Sequence, residues 1–150
     1  MNIKEIDKNF QVHNIGSLQD KKVYTLPHKD IPLYGLYGEE YDEQRELFCR
    51  LPYNLSKSVS ESVLALSNVP CGVRVKFSTN STQVTLSVGY ERVIYTSRMP
   101  LTATSGFVLL EETGQGTEYI GTAVPNLEDE RGYERTFALS GDKMRNYILY

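Results

Sequence analysis

Apolar and polar residues alternate most cleanly over GVRVKFSTNSTQVTLSVGY, residues 72–90. Val73, Val75 and Phe77 stand against Arg74 and Lys76; after STNST, Val84, Leu86 and Val88 stand against Thr85 and Ser87. Successive strand residues point to opposite faces, so a period of two predicts two strands, each with one buried and one wet face. The Ser/Thr/Asn-rich stretch between them reads as the turn of an antiparallel hairpin. On that reading the six apolar residues are core and Arg74 and Lys76 face outward.

Short β-like pieces recur along the rest of the chain. VYTLP and IPLYGLYG are broken by Pro27, Pro32, Gly35 and Gly38, and LFCRLP (47–52) ends in a proline that disfavours helix at the residue before it. RVIYTS (92–97), SGFVLLEE (105–112), EYIGTAV (118–124), RTFALS (135–140) and YILY (147–150) follow, separated by the turns TGQGT, PNLEDERGYE and GDKMRN. Helical spacing occurs once, in Leu55, Val59, Val63 and Leu66. Serine and valine are poor helix formers, so a single helical turn near 56–62 is expected, then a strand through VLALS. Eight or more short strands, with turn signals at a spacing of about ten residues, predict an all-β fold. That fold is an antiparallel β-sandwich or jelly roll, like a carbohydrate-binding module. Residues 1–29 read as a polar lead-in forming an edge strand, and residues 30–150 as the sandwich domain.

A chain of 150 residues sustains one core. The net charge of −3 and the scatter of its sixteen Lys and Arg, whose longest run is Lys21-Lys22, argue against nucleic acid, which needs clustered cations. No stretch approaches the about eighteen apolar residues of a membrane helix. MNIKEIDKNF lacks the apolar centre of a signal peptide, so the chain as written reads as cytoplasmic, and removal of a leader would make it exported. Cys49 and Cys71 are too few for a disulfide framework or a CxxC zinc site; they read as two buried thiols, with one disulfide as the alternative.

Acyl-transfer chemistry needs a nucleophile, a base and an oxyanion hole. The two histidines, His13 and His28, lie in the least structured third, and neither a GxSxG elbow nor a Gly-Asp-Ser box occurs. In SGDK, Lys143 follows Gly141-Asp142 where a serine would have to stand. No catalytic residue, metal-ligand set or cofactor is therefore expected in this chain. The suggestive excess is eleven tyrosines with no tryptophan. Tyr34, Tyr37 and Tyr41 crowd the Gly/Pro-broken PLYGLYGEEY, with Tyr53 soon after, and such rings suit a sugar or a domain interface. Ordinary packing is the competing explanation.

Three stretches carry a family resemblance. LFCRLP resembles the [YF]-x-R-L-P segment in the N-terminal domains of a group of SGNH/GDSL-type esterases. LALSNVPCGVRVKFSTNSTQVTL (64–86) is similar to their LS…G-x-x-[VI]-x-F-x-T-[ND]-S stretch, and SGFVLL (105–110) occupies the place of their G-x-D-L-Y motif. Carried over position by position, the motif residues are Arg50, Leu51, Pro52, Phe77, Thr79, Ser81, Gly106 and Leu109, mainly structural, with Arg50 pairing to a carboxylate or carbonyls. Val108 and Leu110 depart from the motif's Asp and Tyr, so no role for those two side chains transfers. The resemblance implies a non-catalytic accessory domain that packs on an SGNH hydrolase domain in cis. The hydrolase domain would follow residue 150, carry the Gly-Asp-Ser nucleophile and act on a carbohydrate or acetylated-sugar ester. A chain that stops inside the apolar strand NYILY also reads as cut from something longer. The alternatives are a stand-alone carbohydrate-binding module and a structural β-sandwich that self-associates through an exposed edge.

Overall fold

The residues at 72–90 do form two strands with one apolar face each, but the two do not pair with each other. In this computed structural model, which describes residues 22–26, 33–34, 40–45, 47–69, 72–90, 93, 95–126, 128–129 and 131–150, nine strands run in chain order. They are β1 (Leu33–Tyr34), β2 (Glu40–Asp42), β3 (Leu47–Cys49), β4 (Arg74–Thr79), β5 (Gln83–Gly89), β6 (Phe107–Thr113), β7 (Gly116–Ala123), β8 (Gly132–Ala138) and β9 (Arg145–Leu149). Among the described residues three short helices accompany them: α1 (Tyr53–Val59), α2 (Glu61–Ser67) and α3 (Leu101–Thr104).

β4 pairs with β1 and β9 in an antiparallel five-stranded sheet of order β1-β4-β9-β6-β7. β5 pairs instead with β8, from Gln83↔Ala138 to Gly89↔Gly132. The STNST turn therefore carries the chain from one sheet to the other, and the hairpin expectation is corrected to an arch. Alternation reports which face of a strand is buried, not which strand lies beside it, and facing sheets bury the same residues that a hairpin would. The chain makes the same crossing between β8 and β9, and the two crossings lock together. Leu139 N–H donates to Thr82 O at 2.8 Å. Gly141, at φ 67°, holds its backbone where a Cβ would come within 2.6 Å of Thr82 Cγ2.

The core fills the space between the two sheets. Leu109, Ala123, Tyr133, Phe137, Tyr147 and Leu149 are buried, and Val75, Phe77, Leu86 and Val88 pack against them. Phe77 and Tyr147 stack with ring centroids 5.6 Å apart. Outward-facing Lys76 reaches Glu112 at 2.8 Å. The fold is an antiparallel all-β sandwich with a few short helices.

Local expectations fail in two further places. VLALS is helical, not a strand. Ser60 at the head of α2 accepts from Val63 N at 3.2 Å, with Glu61 in the first turn, and such a cap plus an acid beside the helix dipole offsets weak propensity. RVIYTS forms no ladder among its described residues; Thr96 makes an isolated bridge to Met99. Of the lead-in at 1–29, residues 22–26 are described and belong to no strand, while the remainder, like His13, His28, Tyr37 and Cys71, lies outside the described residues.

Candidate functional site

Residues 40–45, within the charged segment EEYDEQRE, build a polar cluster beside a cleft. β2 and β3 form a small hairpin, with Tyr41 opposite Phe48 and their rings 4.9 Å apart. Asp42 closes the turn: its Oδ1 accepts from the backbone N–H groups of Gln44 and Arg45, each at 3.1 Å. Arg45 then folds back over the hairpin. Its Nε donates to Asp42 Oδ2 at 2.7 Å, Nη1 to Asn68 Oδ1 at 3.0 Å and Nη2 to Cys49 Sγ at 2.8 Å. The guanidinium carbon lies 4.5 Å from the Tyr53 ring centroid, and Lys57 Nζ lies 5.4 Å from the same centroid. One arginine thereby joins the turn, β3, α1 and the residue that ends α2.

The hydrogen bond from Arg45 holds the Asp42 carboxyl below its usual range. The same bond raises the guanidinium. Burial pushes the Cys49 thiol up, against the opposing pull of Arg45. Cys49 is a free, buried cysteine. These residues border a cleft of about 530 Å³ lined by Tyr41, Asp42, Gln44, Arg45, Cys49, Pro52, Tyr53 and Asn54.

Two of the four candidate tyrosines, Tyr41 and Tyr53, thus meet in one cleft. Tyr34 sits in β1, its backbone opposite Arg74, and Tyr37 lies outside the described residues. Arg50 differs from the expectation. It is exposed, its backbone N–H donates to Ser67 O at 2.8 Å, and its side chain makes no hydrogen bond or ion pair among the described residues. Arg45 is the arginine that pairs. Nothing in the alternation of the sequence separates the two; only the closing of the turn by Asp42 brings Arg45 inward.

Leu51 and Pro52 are exposed as well, and Pro52 leads directly into α1. The helix pair that follows exposes apolar as well as polar side chains, with Val63 and Leu64 half-buried. Ser56 and Ser67 are its fully buried residues, while Leu55 is 52%, Val59 63% and Leu66 66% exposed. Burial costs the serines little because each hydroxyl bonds its own helix, Ser56 Oγ to Tyr53 O at 3.0 Å and Ser67 Oγ to Leu64 O at 2.7 Å. With Leu51 and Val69, five of the twelve large exposed hydrophobic residues among those described fall within residues 51–69. Exposed apolar side chains thus concentrate in this segment of the described chain.

The other motif residues lie in the sandwich itself. Phe77 packs on the core, and Leu109 is 1% exposed within it. Thr79 and Ser81 shape the first arch: Ser81 N–H donates to Thr79 Oγ1 at 3.0 Å, and the two hydroxyl oxygens lie 3.0 Å apart. Gly106 passes so close to α3 that a Cβ would lie 2.6 Å from Thr102 O and 2.8 Å from Thr102 Cα. The carbonyl just before it, Ser105 O, accepts from both Tyr90 and Tyr133 hydroxyls, the latter at 2.9 Å. Burial drives both phenols to resist ionisation. Val108 and Tyr150 exchange two backbone bonds, at 3.0 and 2.9 Å. Position 108 thus serves the sheet through its backbone, whatever its side chain.

Fold and surface together define a β-sandwich module with a polar–aromatic cleft and a helix pair that exposes Leu55, Val59 and Leu66. The GxDLY family model, the N-terminus of SGNH hydrolase-type esterases, matches residues 25–150, and the chain belongs to that family. No curated protein and no solved structure matches it.

Proposed function

We propose that this chain is the non-catalytic accessory domain of an SGNH-type esterase, packed on the hydrolase domain in cis and shaping the entrance to its substrate site. Membership in a family defined as the N-terminus of such esterases supports this reading. The observation that carries it is the helix pair α1–α2, where Leu55, Val59 and Leu66 face out while Ser56 and Ser67 are buried. Burying those side chains against a second domain recovers the apolar transfer free energy forgone in the domain alone. Pro52 joins the two features: it lines the cleft and it opens α1. A hydrolase domain seated on the helices therefore has the cleft at its margin. Binding of substrate parts remote from the reacting carbonyl can then be used to orient that carbonyl.

The test is kinetic. In the two-domain esterase, Leu55→Asp with Leu66→Asp should lower kcat/KM by about tenfold, since a desolvated apolar anchor contributes over about 1 kcal/mol. An unchanged kcat/KM, with the domains still associated, would sink the docking role. Saturable ester hydrolysis by the 150-residue chain alone would sink the non-catalytic one.

A further inference from the structure

The chemistry of the cleft selects among ligand classes. The one full cation among its described lining residues is already neutralised, because Arg45 Nε bonds Asp42 Oδ2 at 2.7 Å. Arg45 has also committed Nη1 to Asn68 and Nη2 to Cys49. Three of the guanidinium's five N–H donors are therefore committed to the protein itself, and its charge is matched by Asp42, which weakens its pull on a carboxylate or phosphate. A purely apolar ligand fits no better, since Asp42, Gln44, Arg45 and Asn54 would be left facing it.

What remains is a neutral ligand with an apolar face and a hydroxyl fringe. The Tyr41 ring and the Pro52 ring supply apolar wall, and the carboxamides of Gln44 and Asn54 each supply both donors and acceptors. A sugar hydroxyl is likewise donor and acceptor at once. Tyr53, with Arg45 and Lys57 over its ring, offers its phenol edge more than its face. The volume of about 530 Å³ lies in the range of small-ligand sites.

We propose that the cleft between the β2–β3 turn and α1 binds a neutral pyranoside, held by Gln44, Asn54 and the Tyr53 hydroxyl against Tyr41 and Pro52. The proposal deepens the accessory-domain reading by naming the sugar moiety as the part of the ester held here. The binding itself is a property of this chain.

The experiment titrates the 150-residue chain, followed by its amide NMR spectrum, with methyl β-D-glucopyranoside, methyl β-D-xylopyranoside, methyl α-D-mannopyranoside and D-glucuronate. At least one neutral pyranoside should give saturable shifts centred on Tyr41, Gln44, Tyr53 and Asn54, with a dissociation constant on the order of 1 mM. Glucuronate should bind more weakly than that pyranoside. Gln44→Ala and Asn54→Ala, both at exposed positions, should each weaken binding about fivefold, the worth of one hydrogen bond. The proposal is overturned by no saturable shift with any neutral pyranoside, by tighter binding of glucuronate, or by a Gln44→Ala/Asn54→Ala double variant that binds as the parent does. Loss of sugar binding beside an intact effect of Leu55→Asp/Leu66→Asp in the esterase removes this inference alone. The converse removes only the docking reading.

Discussion

Two tyrosine hydroxyls converge on a single carbonyl, Ser105 O, immediately before the glycine that opens the family motif. Replacing Tyr90 or Tyr133 by Phe removes one donor and preserves the ring, so no cavity opens. In either single variant the other hydroxyl still satisfies the carbonyl, and the loss should be that of one neutral hydrogen bond, about 1 kcal/mol. Ser105 is only 6% exposed, so the double variant leaves its carbonyl unpaired in a dry place. That adds a desolvation cost of about 1–3 kcal/mol. Tyr133 can also turn to Ala123 O at 3.1 Å, which makes its single loss the larger of the two. Urea unfolding of the parent, both singles and the double closes the cycle, with equal m-values as the check that the unfolded state is unchanged. The double should be less stable than the sum of the singles by about 1 kcal/mol or more. Additivity within about 0.5 kcal/mol would refute the shared-acceptor reasoning.

The other two predictions concern the motif glycine and acid. Gly106→Ala should destabilise by about 1–3 kcal/mol, because its Cβ meets Thr102 backbone at 2.6 and 2.8 Å, whereas Gly114→Ala, with nothing within 4 Å, should not; equal thermal midpoints for the two would contradict the close approach. Asp42 and Asp142 both have lowered pKa values through hydrogen bonds from Arg45 and Arg145. Their contribution is therefore complete above the ordinary aspartate pKa of about 3.9 and lost as pH falls through the folded values beneath it. An Asp42→Asn/Asp142→Asn variant should show a shallower acid decline in stability than the parent below about pH 4, and parallel curves would refute the assignment.

The sequence reveals burial more readily than it reveals partners. At 72–90 the face of each strand follows from alternation alone, because Val75, Phe77, Leu86 and Val88 are apolar wherever their strands pair. Which strands pair depends on Thr82 meeting Leu139 and on Gly141 closing over Thr82, contacts more than fifty residues apart that leave no local trace. The helix pair is hidden for another reason. Its buried positions Ser56 and Ser67 are serines while Leu55, Val59 and Leu66 are exposed, the inverse of what amphipathic reading assumes at those positions. Tyr41 and Tyr53 could be singled out because tyrosine is abundant beside broken backbone. Asp42 and Arg45 could not, since three residues apart in a charged segment they look like solvent-facing turn residues. The motif arginine misleads in the opposite sense: flanking apolar residues suggest that Arg50 is held inside, yet Leu51 beside it is itself exposed.

Amide hydrogen exchange over residues 53–67, compared between the 150-residue chain and the two-domain esterase, tests the docking of the helix pair most directly. Two seven-residue helices with Leu55, Val59 and Leu66 in water should open and exchange readily in the chain alone. The account predicts that these amides exchange at least about tenfold more slowly when the hydrolase domain is attached, with the β5–β8 ribbon unchanged. Equal exchange of the helix pair in both proteins would contradict it, and the outward leucines and valines would then require another occupant.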